Sequence, residues 1–188
     1  MGERVLSQAV LGTDSILKKA ALVLGGSLFI AAAAQVSVGW PVPMSLQTFA
    51  ILTVGLTLGS RLGAAALLAY LAEGAMGLPV FANGATGPAL VGPTAGFLYG
   101  FVGMAYLAGL AVEKGLARGV VSTAVCGIVI SLLLYIPGLA WPAAVLGKSA
   151  AALWSGWMAP FLLGDAIKAV MAAMVVWGGW KAIKSLRG

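Results

Sequence analysis

The sequence of 188 residues has no histidine, one cysteine (Cys126) and only five acidic residues, and charged residues of either sign make up 9% of it. Without histidine the commonest general acid and base is missing, and a single thiol cannot supply a disulfide, a zinc cluster or a cysteine–histidine nucleophile pair. Most enzyme mechanisms, and any metal site built on these ligands, are thereby excluded. Soluble domains carry about 25% charged residues. A chain that is 61% apolar with mean hydropathy +1.05 has far too little polar surface to dissolve as a monomer, so the expected class is an all-α integral membrane protein held in the lipid bilayer.

The formal charge of +6 and pI of 9.8 would suggest nucleic acid in a soluble chain. Here the basic residues punctuate apolar runs instead of forming a patch interleaved with aromatics, so no nucleic-acid partner is expected. A hydrocarbon core of about 30 Å needs about 20 helical residues. Six apolar runs meet or approach that length, at about 20–38, 45–59, 62–77, 96–112, 119–136 and 160–180, within one membrane domain covering 1–188. Gly39, Trp40 and Pro41 close the first, Leu78-Pro79 stops the third, Pro137-Gly138 stops the fifth, and Pro160 opens the sixth.

Threading these spans with a cytoplasmic amino terminus puts Arg4, Lys18, Lys19, Arg61, Lys114, Arg118, Lys181, Lys184 and Arg187 inside and only Lys148 outside. Cytoplasmic loops collect Lys and Arg, so both termini are assigned to the cytoplasm. The outer side then receives the Pro/Gly-rich loop 79–95 between the third and fourth spans and the connection 139–159, with Trp141, Lys148, Trp154 and Trp157. Residues 1–17 lack the cleavage pattern of a signal peptide. Val5, Leu6, Ala9 and Val10 sit at helical spacing, which suits either a short helix along the inner surface or a frayed tail.

Glu3, Asp14 and Glu113 fall where solvation explains them, whereas Asp165 and Lys168 fall inside the last span. Asp165 lies five residues past Pro160, roughly 8 Å below the helix start, and the i,i+3 spacing places both charges on one face. An intramembrane charge costs at least about 2.5–3.5 kcal/mol and normally faces the bundle interior. The pair is read as a functional grip in preference to a mutually neutralising structural pair with a snorkelling lysine. Glu73, four residues before Gly77, enters the same outer layer and faces either a cavity or a neighbouring helix.

The loop 79–95 combines glycines, prolines and the uncharged donors Asn83, Thr86 and Thr94 with apolar Val80, Phe81, Leu90 and Val91. Non-helical backbone at membrane depth is tolerated only against protein or a water-lined cavity, so this loop is expected to cap a pocket. Other motifs fail on counting. Gly147-Lys148-Ser149 lacks the glycine of a phosphate loop, since Pro142 stands there. Gly84 to Gly87 is too short for a dinucleotide fingerprint. Gly164-Asp165 has no second intramembrane aspartate with which to form a protease dyad. Small residues four apart, such as Gly55 and Gly59, Gly96 and Gly100, and Ala105 and Gly109, permit close helix packing. The pairs Ala21 and Gly25, and Ser27 and Ala31, are singled out on the first helix as a docking face for another membrane protein.

Four separated motifs then carry a family likeness: Val42-Pro43-Met44-Ser45-Leu46-Gln47-Thr48, Gly77-Leu78-Pro79-Val80-Phe81, Gly92-Pro93-Thr94-Ala95-Gly96, and Pro160-Phe161-Leu162-Leu163-Gly164-Asp165-Ala166-Ile167-Lys168. Together they resemble the BioY family, the biotin-binding S components of energy-coupling factor transporters. Two departures stand out: Ala95 where the family has a glycine, and Met44-Ser45 where Ile-Thr is common. The resemblance implies six transmembrane helices in a prokaryotic inner membrane and an outward-facing substrate pocket capped by the loop between helices 3 and 4. It implies biotin as ligand, with Asp165, Lys168 and Asn83 as polar contacts, Gly92, Pro93 and Thr94 shaping the lid, and Gln47, Thr48, Tyr70 and Glu73 as further candidates. Asp165 suits the ureido N–H groups, and Lys168 suits either the ureido oxygen or the tail carboxylate. No catalytic residue and no cofactor are implied. ATP would be consumed only by a partner pair of ABC-type ATPases, joined through a transmembrane coupling protein. The rivals are an S component for another vitamin or biotin precursor and, from a different class, an intramembrane lipid-modifying enzyme.

Overall fold

A computed structural model describes residues 5–7, 15–38 and 43–187. Arg4, Glu3, Ala9, Val10, Asp14, the turn at Gly39, Trp40 and Pro41, and Val42 lie outside the described residues, as do the side chains of Lys184 and Arg187. The chain is almost entirely helical, because in an apolar medium only a helix satisfies its own backbone groups. Helix α1 is Ile16–Gln35, followed by β1 (Ser37–Val38) paired antiparallel with β2 (Met44–Ser45). Then come α2 (Gln47–Leu58), α3 (Ser60–Ala75), α4 (Ala95–Glu113), α5 (Val120–Leu146), α6 (Ala150–Leu153), a π-helical turn at Trp154–Met158, and α7 (Ala159–Arg187). Among the described residues four apolar stretches are long enough to cross a membrane: Ile16–Gln35, Ala95–Glu113, Val120–Leu146 and the continuous run Ala150–Ile183. Large apolar side chains such as Leu28, Val121, Leu163 and Met174 are exposed around the bundle, a surface that water would not tolerate and lipid does.

Backbone approach, made possible by small residues, holds the centre together. A Cβ at Gly55 would overlap the Ala105 carbonyl, and one at Gly109 would overlap the Gly59–Ser60 backbone. Helices α2, α3 and α4 therefore meet almost main chain to main chain, the packing expected where lipid offers no hydrophobic drive. At one end of the bundle α2 reverses into α3 through Gly59, whose φ of 88° is open to glycine. Glu113 at the end of α4 accepts from Ser60 N at 2.7 Å and from Ser60 Oγ at 2.9 and 2.8 Å. The carboxylate thus caps the start of α3, where the helix dipole favours negative charge. Solvation alone does not account for it. Val5 is buried against Gly59, and Leu6 lies near Gly179, so these two residues pack under the bundle instead of lying on a membrane surface.

The expected stop at Pro137 is corrected, since α5 runs through Pro137 and Pro142 to Leu146 and ends at Gly147 with φ 62°. Proline's fixed φ is helical, and the lost hydrogen bond costs less than unwinding several peptide groups in an apolar medium. The site is also a close-packed crossing: a Cβ at Gly96 would overlap the Pro137 carbonyl, and one at Gly100 would sit 2.9 Å from the Pro137 ring. The connection 139–159 is consequently helical over most of its length. Pro160 is the second residue of α7, within helix that continues from the π turn.

Candidate functional site

The loop 79–95 contains two 3-10 turns, Ala82–Gly84 and Gly87–Leu90, and is otherwise irregular, as its glycine and proline content dictates. It is pinned rather than loose. Tyr70 on α3 donates to Val80 O at 3.0 Å, Tyr99 on α4 to Leu90 O at 2.8 Å, and Trp141 on α5 to Gly92 O at 3.0 Å. Phe81 drops into the bundle, 2% exposed, with its ring edge-on to Tyr70 at 5.2 Å. Gly74 makes room for it, because a Cβ there would overlap the Phe81 ring.

Beneath this loop lies a cavity of about 510 Å³, within the range of small-molecule sites. Phe81, Phe97, Phe101, Leu134, Trp157 and Phe161 supply apolar and aromatic wall. Polar atoms gather where α2, α5 and α7 converge. Asp165 Oδ1 lies 2.8 Å from Lys168 Nζ and accepts from Thr48 Oγ1 at 3.1 Å, while Oδ2 accepts from Tyr135 OH at 2.6 Å. Lys168 Nζ also donates to Ser45 O at 3.1 Å. Both charged residues are buried, at 7% and 8% exposure, and both face the cavity. A pair so buried is retained only with near-complete hydrogen bonding. Here the carboxylate has three donors and the ammonium two acceptors, leaving one N–H of Lys168 and one lone-pair site of Asp165 unspent.

Asn83, Gly92, Pro93, Thr94, Gln47 and Thr48 also line the cavity. Gln47 is committed inward: it accepts from Ser45 Oγ at 2.9 Å and donates from Nε2 to Tyr70 OH at 2.7 Å. The chain Ser45–Gln47–Tyr70–Val80 thereby links β2 to the loop. Tyr70 and Glu73 are not among the described residues that line the cavity. Tyr70 sits behind Phe81, and Glu73 accepts from Ser27 Oγ at 2.7 Å. The expected docking face on α1 is divided accordingly. Ala21 and Gly25 are exposed, Ala31 is partly buried against the core, and Ser27 is fully buried against α3. Ser27 therefore belongs to the interior, because its hydroxyl is needed by a carboxylate in the helix interface.

Sequence reasoning missed Tyr135, Trp157 and Ser45 as parts of the site. A tyrosine seven residues before Pro142 carries no visible signal. Trp157 is turned into the cavity by the π-helical register at Trp154–Met158, which an unbroken α-helical reading does not anticipate.

A family model described as "BioY family" matches residues 6–185. The "Biotin transporter BioY" of Rhodobacter capsulatus is 39% identical over 153 residues, covering 74% of this chain and 80% of the relative. The "Probable biotin transporter BioY" of Pyrococcus horikoshii is 36% identical over 147 residues, covering 78% and 85%. Among solved structures, one described as the S-component for biotin from an ECF-type ABC transporter superimposes with a TM-score of 0.74 at 25% identity, over 88% of this chain and 92% of the other.

Proposed function

The chain belongs to the BioY family, and from that premise we propose that it is the biotin-capturing S component of an energy-coupling factor transporter. The observation that carries this reading is the roofed cavity of about 510 Å³ with the buried Asp165–Lys168 pair in its wall. Biotin has an apolar fused ring, a ureido group with two N–H donors and a carbonyl, and a carboxylate tail. Aromatic walls suit the ring. In the pair an acceptor lies 2.8 Å from a donor, and a ureido edge presents the complementary donor beside an acceptor. Asp165 accepts one ureido N–H, and the remaining N–H of Lys168 goes to the ureido oxygen. Asn83, whose Oδ1 is taken by Ser37, offers its amide N–H groups. Gly92, Pro93 and Thr94 shape the roof, and Gln47 and Thr48 hold the neighbouring groups in place.

In this reading α1 to α5 and α7 form one domain of six helices that cross a prokaryotic inner membrane, and the cavity faces outward. The chain captures its ligand without transforming it and needs no cofactor. Energy comes from an ABC-type ATPase pair acting through a membrane coupling protein, for which exposed Ala21 and Gly25 on α1 remain the candidate docking face. Titration calorimetry of the purified protein tests the ligand. Biotin and desthiobiotin should bind, thiamine and riboflavin should not, and the absence of a biotin signal rejects the reading. Biotin carboxamide tests the pose. With the ureido edge on the pair, losing the tail charge should change affinity by less than about threefold, or about 0.7 kcal/mol. A much larger loss would place the tail carboxylate on Lys168.

A further inference from the structure

The roof of the cavity is also held from a fourth direction, by the outer end of α1. Gln35, the last residue of that helix, turns its side-chain nitrogen to three successive carbonyls: Pro79 O at 3.3 Å, Val80 O at 3.3 Å and Phe81 O at 3.2 Å. It also reaches back to Ala31 O at 3.2 Å. Two N–H bonds shared among four acceptors hold the position of a stretch of peptide rather than of one atom. Two residues on, Ser37 donates to Asn83 Oδ1 at 2.7 Å and accepts from Asn83 N at 3.2 Å. Asn83 has φ 59°, the left-handed region, a conformation that costs a non-glycine residue free energy and persists where surroundings enforce it. Phe81 and Asn83, both in the cavity wall, thus lie within the stretch that α1 and β1 restrain.

We propose that Gln35 is a positioning residue for ligand retention: its amide fixes residues 79–81 of the roof to the outer end of α1, and breaking that tie is the step that lets the ligand leave. This rests on the capture reading above. Of the other ties, Tyr70 to Val80 O and the Phe81 ring seated beside Tyr70 hold the same stretch to α3, while Tyr99 to Leu90 O and Trp141 to Gly92 O hold the far side of the roof to α4 and α5. Release of the α1 side leaves the stretch held by Tyr70 and the Phe81 ring alone, so that it lifts from the cavity more readily while the bundle stays folded. It also makes retention depend on where α1 stands relative to α3, a relation otherwise fixed in part by the Ser27–Glu73 hydrogen bond.

The test uses the full chain in detergent with two variants of Gln35. Gln35→Glu keeps the length and sets acceptor oxygens against three carbonyls, and Gln35→Ala removes the group. The first readout is hydrogen exchange of the amides of Phe81, Asn83, Gly84 and Ala85 without ligand, all hydrogen-bonded in the closed roof. The second is the rate at which labelled biotin is lost in a chase. Both variants should exchange these amides at least about 10-fold faster than wild type, with the α4 and α5 amides unchanged. Both should release biotin at least about 10-fold faster, with a smaller change in association rate. Ser37→Ala should shift both readouts in the same direction, and it stands in if a Gln35 variant does not fold. Unchanged exchange, or faster exchange with an unchanged release rate, overturns the proposal. Failure of the wild-type chain to bind biotin instead sinks the capture reading, and it is told apart because the exchange comparison needs no ligand.

Discussion

Asp165 holds three donors on two oxygens, from Lys168, Thr48 and Tyr135, and each donor comes from a different turn or helix. The carboxylate therefore fixes the polar wall of the cavity as well as contributing to it. Asp165→Ala leaves the Lys168 ammonium buried with only a backbone carbonyl, and Lys168→Ala leaves an uncompensated carboxylate. Each should weaken biotin binding at least about 10-fold, or about 1.4 kcal/mol, as measured by titration calorimetry. Tyr135→Phe removes one hydrogen bond to a charge while keeping the ring against Phe97, whose centroid lies 5.9 Å away. Hydrogen bonds to charged groups contribute about 1.5–3 kcal/mol, so this variant should also lose affinity while keeping its thermal stability closer to wild type than Asp165→Ala. Equal affinity in all three variants would make the cluster structural.

At the scale of the helices, α4 and α5 both supply cavity wall, Phe97 and Phe101 from one and Leu134 and Tyr135 from the other. Their crossing is set by Gly96 against Pro137. Gly96→Ala should force the two helices apart, destabilise the protein by about 1–3 kcal/mol and lower biotin affinity. Gly103→Ala, on the same helix with nothing within 4 Å of the added methyl, should do neither in a thermal-shift and binding comparison. This crossing also marks the limit of what the sequence discloses. The apolar helices, the loop 79–95 and the juxtaposition of Asp165 with Lys168 follow from apolar run length, Gly/Pro density and i,i+3 spacing, all local properties. The packing of α5 at Pro137 depends on a glycine some forty residues away, Gly96, whose missing Cβ leaves room for the proline carbonyl, which is tertiary information. The same holds for Tyr135 and Gln35, whose roles depend on which carbonyl or carboxylate the fold brings to them. Glu73 is legible as an unusual charge, but its partner Ser27 is not, because the i,i+4 spacing of Ser27 and Ala31 does not say which side of a helix is lined.

For the whole molecule, the structure ties two otherwise separate questions together. The cavity lies at the end of the bundle that carries the loop 79–95 and the turn from α5 into α6, where Gly147, Lys148 and Ser149 sit. Glu113 and Ser60 meet at the opposite end, and there the chain places Arg61, Lys114 and Arg118 within a few residues. Basic residues are retained on the cytoplasmic side, so the asymmetry of the sequence and the position of the cavity both support the proposed pocket open to the outside. Labelling single cysteines in intact cells checks this directly. In a Cys126→Ser background, Lys148→Cys should react with a membrane-impermeant maleimide in intact cells, and Lys114→Cys should react only after the membrane is opened. Biotin should not block the Lys148→Cys reaction, since that residue is not among the described cavity-lining residues. The reverse labelling pattern would put the cavity on the cytoplasmic side, and a subunit facing that way has no means of capturing a vitamin from the surroundings.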